Sequence, residues 1–132
     1  MEQKRVWIYC RIAHDGPNST EVLAAQQHSL DAYAKEHSLK IAGFSNDIGS
    51  GRTMNHPGLR DFHAAAENGE IDILLIHSLT RLCRDSYKII EYWHLLRDLG
   101  VSIYTADCGE VDLRLEHTIL CGMIEKMKKS PR

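Results

Sequence analysis

The sequence predicts an α/β fold, with a mainly parallel four- to five-stranded sheet flanked by helices. Three observations carry this prediction. Apolar, β-branched and aromatic residues dominate the runs Arg5 to Ile12, Ile41 to Phe44, Ile71 to Ile76 and Val101 to Tyr104, each near the length of one strand. Apolar stripes at helical spacing separate these runs, so strand and helix alternate. The runs are also partly continuous in hydrophobicity, which suits strands covered on both faces of a parallel sheet.

The first strand leads into a loop from His14 to Thr20. Ser19 or Thr20 is expected to cap the helix that follows, with Glu21 and Val22 in its first turn. That helix presents Val22, Leu23, Leu30, Tyr33 and Ala34 at helical spacing. After the second strand comes a Gly- and Ser-rich loop, Asp47 to Asn55. Leu59, Phe62 and Ala66 then form a shorter stripe behind Pro57, a residue suited to a first helical turn. Ile89, Ile90, Trp93 and Leu96 make the third stripe. Leu120, Met123, Ile124 and Met127 make the last, which runs towards Lys126, Lys128 and Lys129, charges favourable at a helix C-terminus. Right-handed crossovers place the functional loops of such a chain at the carboxyl ends of its parallel strands.

A length of 132 residues suits one domain and is too short for two comfortable cores, so residues 1–132 are read as a single domain. Hydrophobic residues at 43% and charged residues at 26% exclude an intrinsically disordered chain. Cys10, Cys83, Cys108 and Cys121 lack the close pairing of a zinc or redox motif, so no metal or other cofactor is expected. No secretory signal or bilayer-length apolar run is present, which makes a reducing cytoplasm the expected setting and a membrane partner unexpected. The formal charge of −2 lacks the basic excess of a self-sufficient DNA-binding domain. Contact with nucleic acid would have to be local or assisted.

Arg11 ends the first strand and Arg81 and Arg84 follow the third, so their guanidiniums can converge above one edge of the sheet. Planar, permanently charged donors of this kind match phosphate oxygens. The competing reading pairs each arginine with a surface carboxylate, and only the set as a whole favours function. In Asp47-Ile-Gly-Ser-Gly-Arg-Thr, Gly49 and Gly51 flank Ser50 and let the main chain turn closely, as either a phosphate-approaching loop or an ordinary solvated turn.

The order of motifs resembles the N-terminal catalytic domain of resolvase/invertase-type serine recombinases, especially the large transposon-type branch, over nearly the whole chain. Trp7-Ile-Tyr-Cys-Arg-Ile is similar to the opening strand of that family, and Ala25-Gln26-Gln27 to its helix with a buried glutamine. Asp47-Ile-Gly-Ser-Gly and Pro57-Gly-Leu are similar to its second loop, and Leu79-Thr-Arg-Leu-Cys-Arg-Asp is the most specific match. The resemblance implies a resolvase-like three-layer fold. It also implies transition-state roles for Arg11, Arg81 and Arg84, and phosphate-binding or supporting roles for Gln26, Asp47, Ser50, His56 and Thr80. In the family a serine two residues beyond the first-strand arginine attacks a DNA phosphate, forming a 5′-phosphoseryl linkage and releasing a 3′ hydroxyl without a metal.

Here that nucleophile position is Ala13, whose methyl group cannot attack phosphorus. His56 stands where the family places an arginine before Pro-Gly, and it cannot offer a guanidinium fork. Thr80 replaces the commonest Asp, a change found within the transposon-type branch. Ser19 and Thr20 lie too far along the loop to substitute, and Cys10 points to the opposite side of its strand from Arg11. The leading expectation is a recombinase catalytic-domain homologue, inactive through natural decay or through an engineered Ser-to-Ala change. The family's last helix builds a dimer interface and leads to DNA-binding modules, a region expected to be absent here. Expected partners are DNA, bound weakly by this chain alone, and a second copy or higher oligomer. The alternative is a non-catalytic module that dimerises with an active recombinase. A third reading, an unrelated domain holding a small phosphorylated ligand, ranks last.

Overall fold

The computed structural model describes residues 3–114, so the predicted stripe from Leu120 to Met127 and Cys121 lie outside the described residues. Within them the chain runs β1 (Arg5–Ile12), α1 (Ser19–Glu36), β2 (Lys40–Ile48), α2 (Pro57–Glu67), β3 (Ile73–Ile76), a short α3 (Leu79–Leu82), α4 (Ser86–Asp98), β4 (Ser102–Thr105) and β5 (Gly109–Glu110). These strands form one 5-stranded sheet in the order β2-β1-β3-β4-β5. Every neighbouring pair is parallel except β4 and β5, which close an antiparallel hairpin. The predicted fold class, a mainly parallel sheet flanked by helices, is the one that forms.

Alternation along β1 divides the interior into two layers. Ile8 and Cys10 pack with Leu23, Leu30 and Ala34 of α1. Tyr9 faces the other way, into a cluster with Phe62 of α2 and Trp93 and Leu96 of α4. β3 sits between β1 and β4, and all of Ile73, Leu74, Leu75 and Ile76 are buried. Cover on both faces is why its sequence reads as an unbroken apolar run. Each such side chain contributes about 1.5–3 kcal/mol by leaving water.

Several boundaries depart from the sequence reading. β2 continues past Phe44 to Ile48 and pairs with β1 as far as Ile12. Its second half is polar because Ser45 and Asp47 turn inward to hydrogen-bond Trp7 and the start of α2, while on the outward face of this edge strand Phe44 is 54% and Ile48 44% exposed. Ile71 is buried ahead of β3 rather than within it, and β4 is displaced by one residue towards Thr105. Neither Ser19 nor Thr20 caps α1: the cap position is Asn18, without a side-chain hydrogen bond. Ser19 Oγ instead accepts from the Gly16 amide at 2.6 Å, which closes the preceding turn. Val22 is 44% exposed, so the buried stripe of α1 is narrower than expected. The short α3 was not anticipated. It turns the chain from β3 back over the carboxyl edge and carries Arg81.

Candidate functional site

β1 delivers Arg11 to the carboxyl edge of the sheet on the same side as Tyr9, and there it is only 2% exposed. Its guanidinium binds backbone carbonyls of two separate segments: Nε donates to Arg81 O at 2.8 Å, Nη2 to Thr80 O at 2.7 Å and Nη1 to Gly49 O at 2.6 Å. One side chain thereby ties the end of β1 to both the second loop and α3. Burial pushes the Arg11 pKa down, Arg81 and Arg84 push the same way, and Tyr9 opposes them. An arginine nonetheless stays protonated in any working range. Among the described residues Arg11 has no carboxylate partner, so carbonyl dipoles alone compensate its charge.

Asp47 and His56 brace the loop between them. Buried Asp47 accepts from Tyr9 Oη at 2.7 Å and from the amides of Gly58 and Leu59 at 2.8 and 3.0 Å. Those amides are in the first turn of α2, so Asp47 serves as a distant carboxylate cap in the positive end of the helix dipole. Burial, followed by the hydrogen bond and charge of Asp47, pushes the Tyr9 phenol far above its ordinary range and keeps it a donor. A Cβ on Gly58 would lie 2.8 Å from Asn46 O and 2.9 Å from Asp47 Oδ2, so only glycine admits the carboxylate this closely. His56, 7% exposed, precedes Pro57 and places Nε2 2.9 Å from Ser50 O. A carbonyl can only accept, so this nitrogen carries the proton.

Gly51 is the point of closest approach between the loop and the arginines. A Cβ there would meet Arg11 Nη2 at 2.8 Å and Arg84 Cγ at 2.9 Å. Its carbonyl accepts from the Arg84 amide at 2.7 Å. Asp85 caps α4 through the amides of Tyr87 and Lys88, which fixes where the chain carrying Arg84 turns into the helix. Arg81 Nη1 reaches the Arg11 carbonyl at 3.3 Å, and Gln26 Nε2 reaches the same oxygen at 3.4 Å. Gln26 Oε1 is buried and accepts nothing from the described residues. Thr80 is exposed, its hydroxyl 2.9 Å from Ser78 Oγ.

A cavity of about 400 Å³ opens between the two loops, lined by Ala13, His14, Ser50, Gly51, Arg52 and Arg84. Ser50 Oγ accepts from the Arg52 amide at 3.1 Å, which leaves its O–H free to donate. Neither the Arg52 nor the Arg84 guanidinium has a hydrogen-bond or ion-pair partner among the described residues. Among the described residues none of Arg11, Arg81 and Arg84 is paired with a carboxylate. Among the described residues no carboxylate lines the cavity. Neither Cys10 nor Ser19 lines the cavity beside Ala13. Burial pushes the Cys10 thiol up to about 11 from the other side of β1, and the Ser19 hydroxyl is engaged with Gly16.

Sequence reasoning named Arg11, Ala13, Arg81, Arg84, Ser50, His56, Asp47, Gln26 and Thr80, and all lie at this edge. It missed Tyr9, whose hydroxyl holds Asp47, and His14 and Arg52, which line the cavity. Arg52 could have been found as the basic residue that closes Gly-Ser-Gly. Tyr9 carried no signal, because an aromatic residue in a strand reads as core.

The architecture and its arginine-lined edge define a class, the catalytic domains of serine recombinases. Residues 6–130 match the family described as resolvase, N terminal domain, and the chain belongs to that family. It is similar to the C-terminal catalytic domain of ISC1926 TnpA, an IS607-like serine recombinase, at 25% identity and a TM-score of 0.70, over 92% of this chain and 78% of that one. The N-terminal catalytic domain of TP901-1 integrase shares the fold at 18% identity and a TM-score of 0.76, over 98% of this chain and 100% of that one. So does a resolvase family site-specific recombinase from Streptococcus pneumoniae, at 16% identity and a TM-score of 0.74, over 96% of this chain and 89% of that one.

Proposed function

We propose that this chain is a serine-recombinase catalytic domain that holds DNA phosphate at its carboxyl edge and does not cut the strand. The observation that carries the reading is that Arg11, Arg81 and Arg84 gather at the edge that bears Ala13, with no compensating carboxylate among the described residues. A surface that selection had released from phosphate would be free to acquire acidic neighbours. In this reading Arg84 contacts the phosphate, Arg81 bridges the scaffold and the ligand, and Arg11, Asp47 and His56 hold the two loops that bear them. Gln26, Ser50 and Thr80 support. DNA and further copies of the fold are the partners, and assembly with a cutting recombinase is the role left to a domain without a nucleophile.

The test restores the chemistry. In Ala13→Ser the new hydroxyl would give up its proton as Oγ bonds to phosphorus, the P–O3′ bond would break, and the departing 3′ oxygen would take a proton. Ala13→Ser with His56→Arg, fused to a DNA-binding module of known target, is expected to give a covalent protein–DNA adduct that survives denaturing electrophoresis. The unaltered chain in the same fusion gives none. The catalytic domain is C-terminal in the ISC1926 protein and N-terminal in TP901-1 integrase, so the fusion is made at each end in turn. An adduct from the unaltered chain would overturn the non-cutting reading, and a restored double variant that never forms one would count against the recombinase site.

A further inference from the structure

We propose that the cavity beside Ala13 receives the terminal phosphate monoester of a DNA strand in preference to an internal phosphodiester. The inference rests on the phosphate-binding reading above and names the form of phosphate that the site prefers.

Charge points to the ligand. Arg52 and Arg84 line the cavity, and both guanidiniums lack partners among the described residues. Arg11 lies close enough behind Gly51 to touch a Cβ there, and among the described residues only carbonyls accept from its guanidinium. Among the described residues no acidic side chain lines the walls. An internal diester brings one negative charge to this surplus. A terminal monoester brings about 1.5 to 2 at neutral pH, together with a third strongly accepting oxygen. In a partly enclosed site each added charge counts for more than it would in open water.

Shape and donors agree. At about 400 Å³ the space is at the small end of ligand sites, suited to a chain end and not to a run of duplex. A diester needs an exit for the strand on each side of the phosphate, whereas a monoester enters by one mouth. The methyl group of Ala13 contributes no hydroxyl to compete for the phosphate oxygens. Ser50 Oγ accepts from the Arg52 amide, so its proton is available to the additional oxygen of a monoester. His14 also lines the cavity.

The experiment uses the full chain and one fluorescent duplex sequence prepared in several forms: 5′-phosphorylated, 3′-phosphorylated, hydroxyl at both ends, and covalently closed without ends. Anisotropy titrations at low salt are expected to favour a phosphorylated end over hydroxyl ends by about tenfold, the worth of one or more added hydrogen bonds to a charged group. The 5′ and 3′ forms identify which terminus is taken, and a preference for either supports the proposal. Arg84→Gln removes a lining charge. Ala13→Leu fills the space while keeping every charge, and each variant should bring the ratio close to one. Thermal unfolding of both variants verifies that they are folded, and Arg52→Gln replaces any that is not. Equal binding of all four duplexes would overturn the proposal and leave the phosphate reading intact. A preference that survives Ala13→Leu would also overturn it, because the end would then be held elsewhere. Binding to none of the duplexes would remove the phosphate reading and this inference together.

Discussion

β1 carries an arginine near each end, and the two are treated in opposite ways. Arg5, at the amino edge, meets a carboxylate: Asp72 Oδ2 accepts from its backbone amide at 2.8 Å and from Nε at 3.0 Å, while Oδ1 accepts from Nη2 at 3.0 Å. Arg11, at the carboxyl edge, is more deeply buried and among the described residues donates only to carbonyls. Burying a charge without a counter-ion is the costlier arrangement. A fold that spends only carbonyl dipoles on Arg11 keeps a positive potential at the edge where its loops gather. The comparison separates an arginine that closes the sheet from one that holds the site together and still presents charge to an anion.

The largest expected effect comes from removing that clasp. Arg11→Met keeps much of the side-chain volume but leaves the carbonyls of Gly49, Thr80 and Arg81 without their donor. Each lost partner in a buried setting costs about 1–3 kcal/mol, so a total of roughly 3 kcal/mol or more is expected in urea unfolding. Arg11→Lys should recover only part of this, because a single ammonium cannot reproduce the planar fork that spans two segments. A variant with unchanged stability would mean that Arg11 is no scaffold, and the contrast with Arg5 would lose its meaning.

Asp47 comes next. Asp47→Asn keeps the shape but exchanges a carboxylate that accepts from Tyr9 and from two helix amides for a neutral amide. A loss of about 1–2 kcal/mol is expected from the weakened cap. Tyr9→Phe should cost about 1 kcal/mol, the worth of one hydrogen bond. The double variant should fall short of additivity, since both changes strike the same carboxylate. A double-mutant cycle measured by chemical denaturation checks this, and strict additivity would show the network to be no network.

Much of this was legible in the sequence. Arg5 to Ile12 has the bounds of β1, and the apolar run ending at Ile76 holds all of β3, because residues covered on both faces leave no polar interruption. The convergence of Arg11, Arg81 and Arg84 followed from topology, since parallel strands deliver their ends to one edge. The division of labour among the arginines could not be read, because a clasp to carbonyls leaves no complementary residue in the sequence as a carboxylate would. For the same reason β2 looked short. The polar residues Ser45 to Asp47 pair by backbone with β1 while their side chains serve Trp7 and α2, and composition alone cannot report either.

The Arg5–Asp72 pair supplies a control for these effects. The side-chain hydrogen bond from Arg5 holds the Asp72 carboxyl below the usual range, with the backbone amide adding to it and burial opposing. A carboxylate depressed in the folded state adds stability above its unfolded pKa of about 3.9, and that stability is lost as pH falls through the lower folded value. Asp72→Asn should therefore cost about 0.2–1 kcal/mol at neutral pH, discounted for the partial exposure of the pair. The difference from the unaltered chain should disappear at the acid end of a pH series of thermal melts. A deficit that persists at low pH would assign the effect to hydrogen-bond geometry and not to charge.

Arg84→Gln is expected to move stability least and in an unusual direction. The Arg84 side chain donates to no described residue, so its removal breaks no hydrogen bond or ion pair among them. Its charge acts against that of buried Arg11, one of the influences that push the Arg11 pKa down. Relief of this repulsion should leave stability unchanged or raise it by less than about 0.5 kcal/mol. The gain should appear at low ionic strength and fade as salt screens the pair. Urea midpoints at two salt concentrations measure it. Clear destabilisation would show that Arg84 belongs to the scaffold with Arg11. A neutral or stabilising result would mark it as a residue retained at some cost to the fold, as expected of a side chain kept for its ligand.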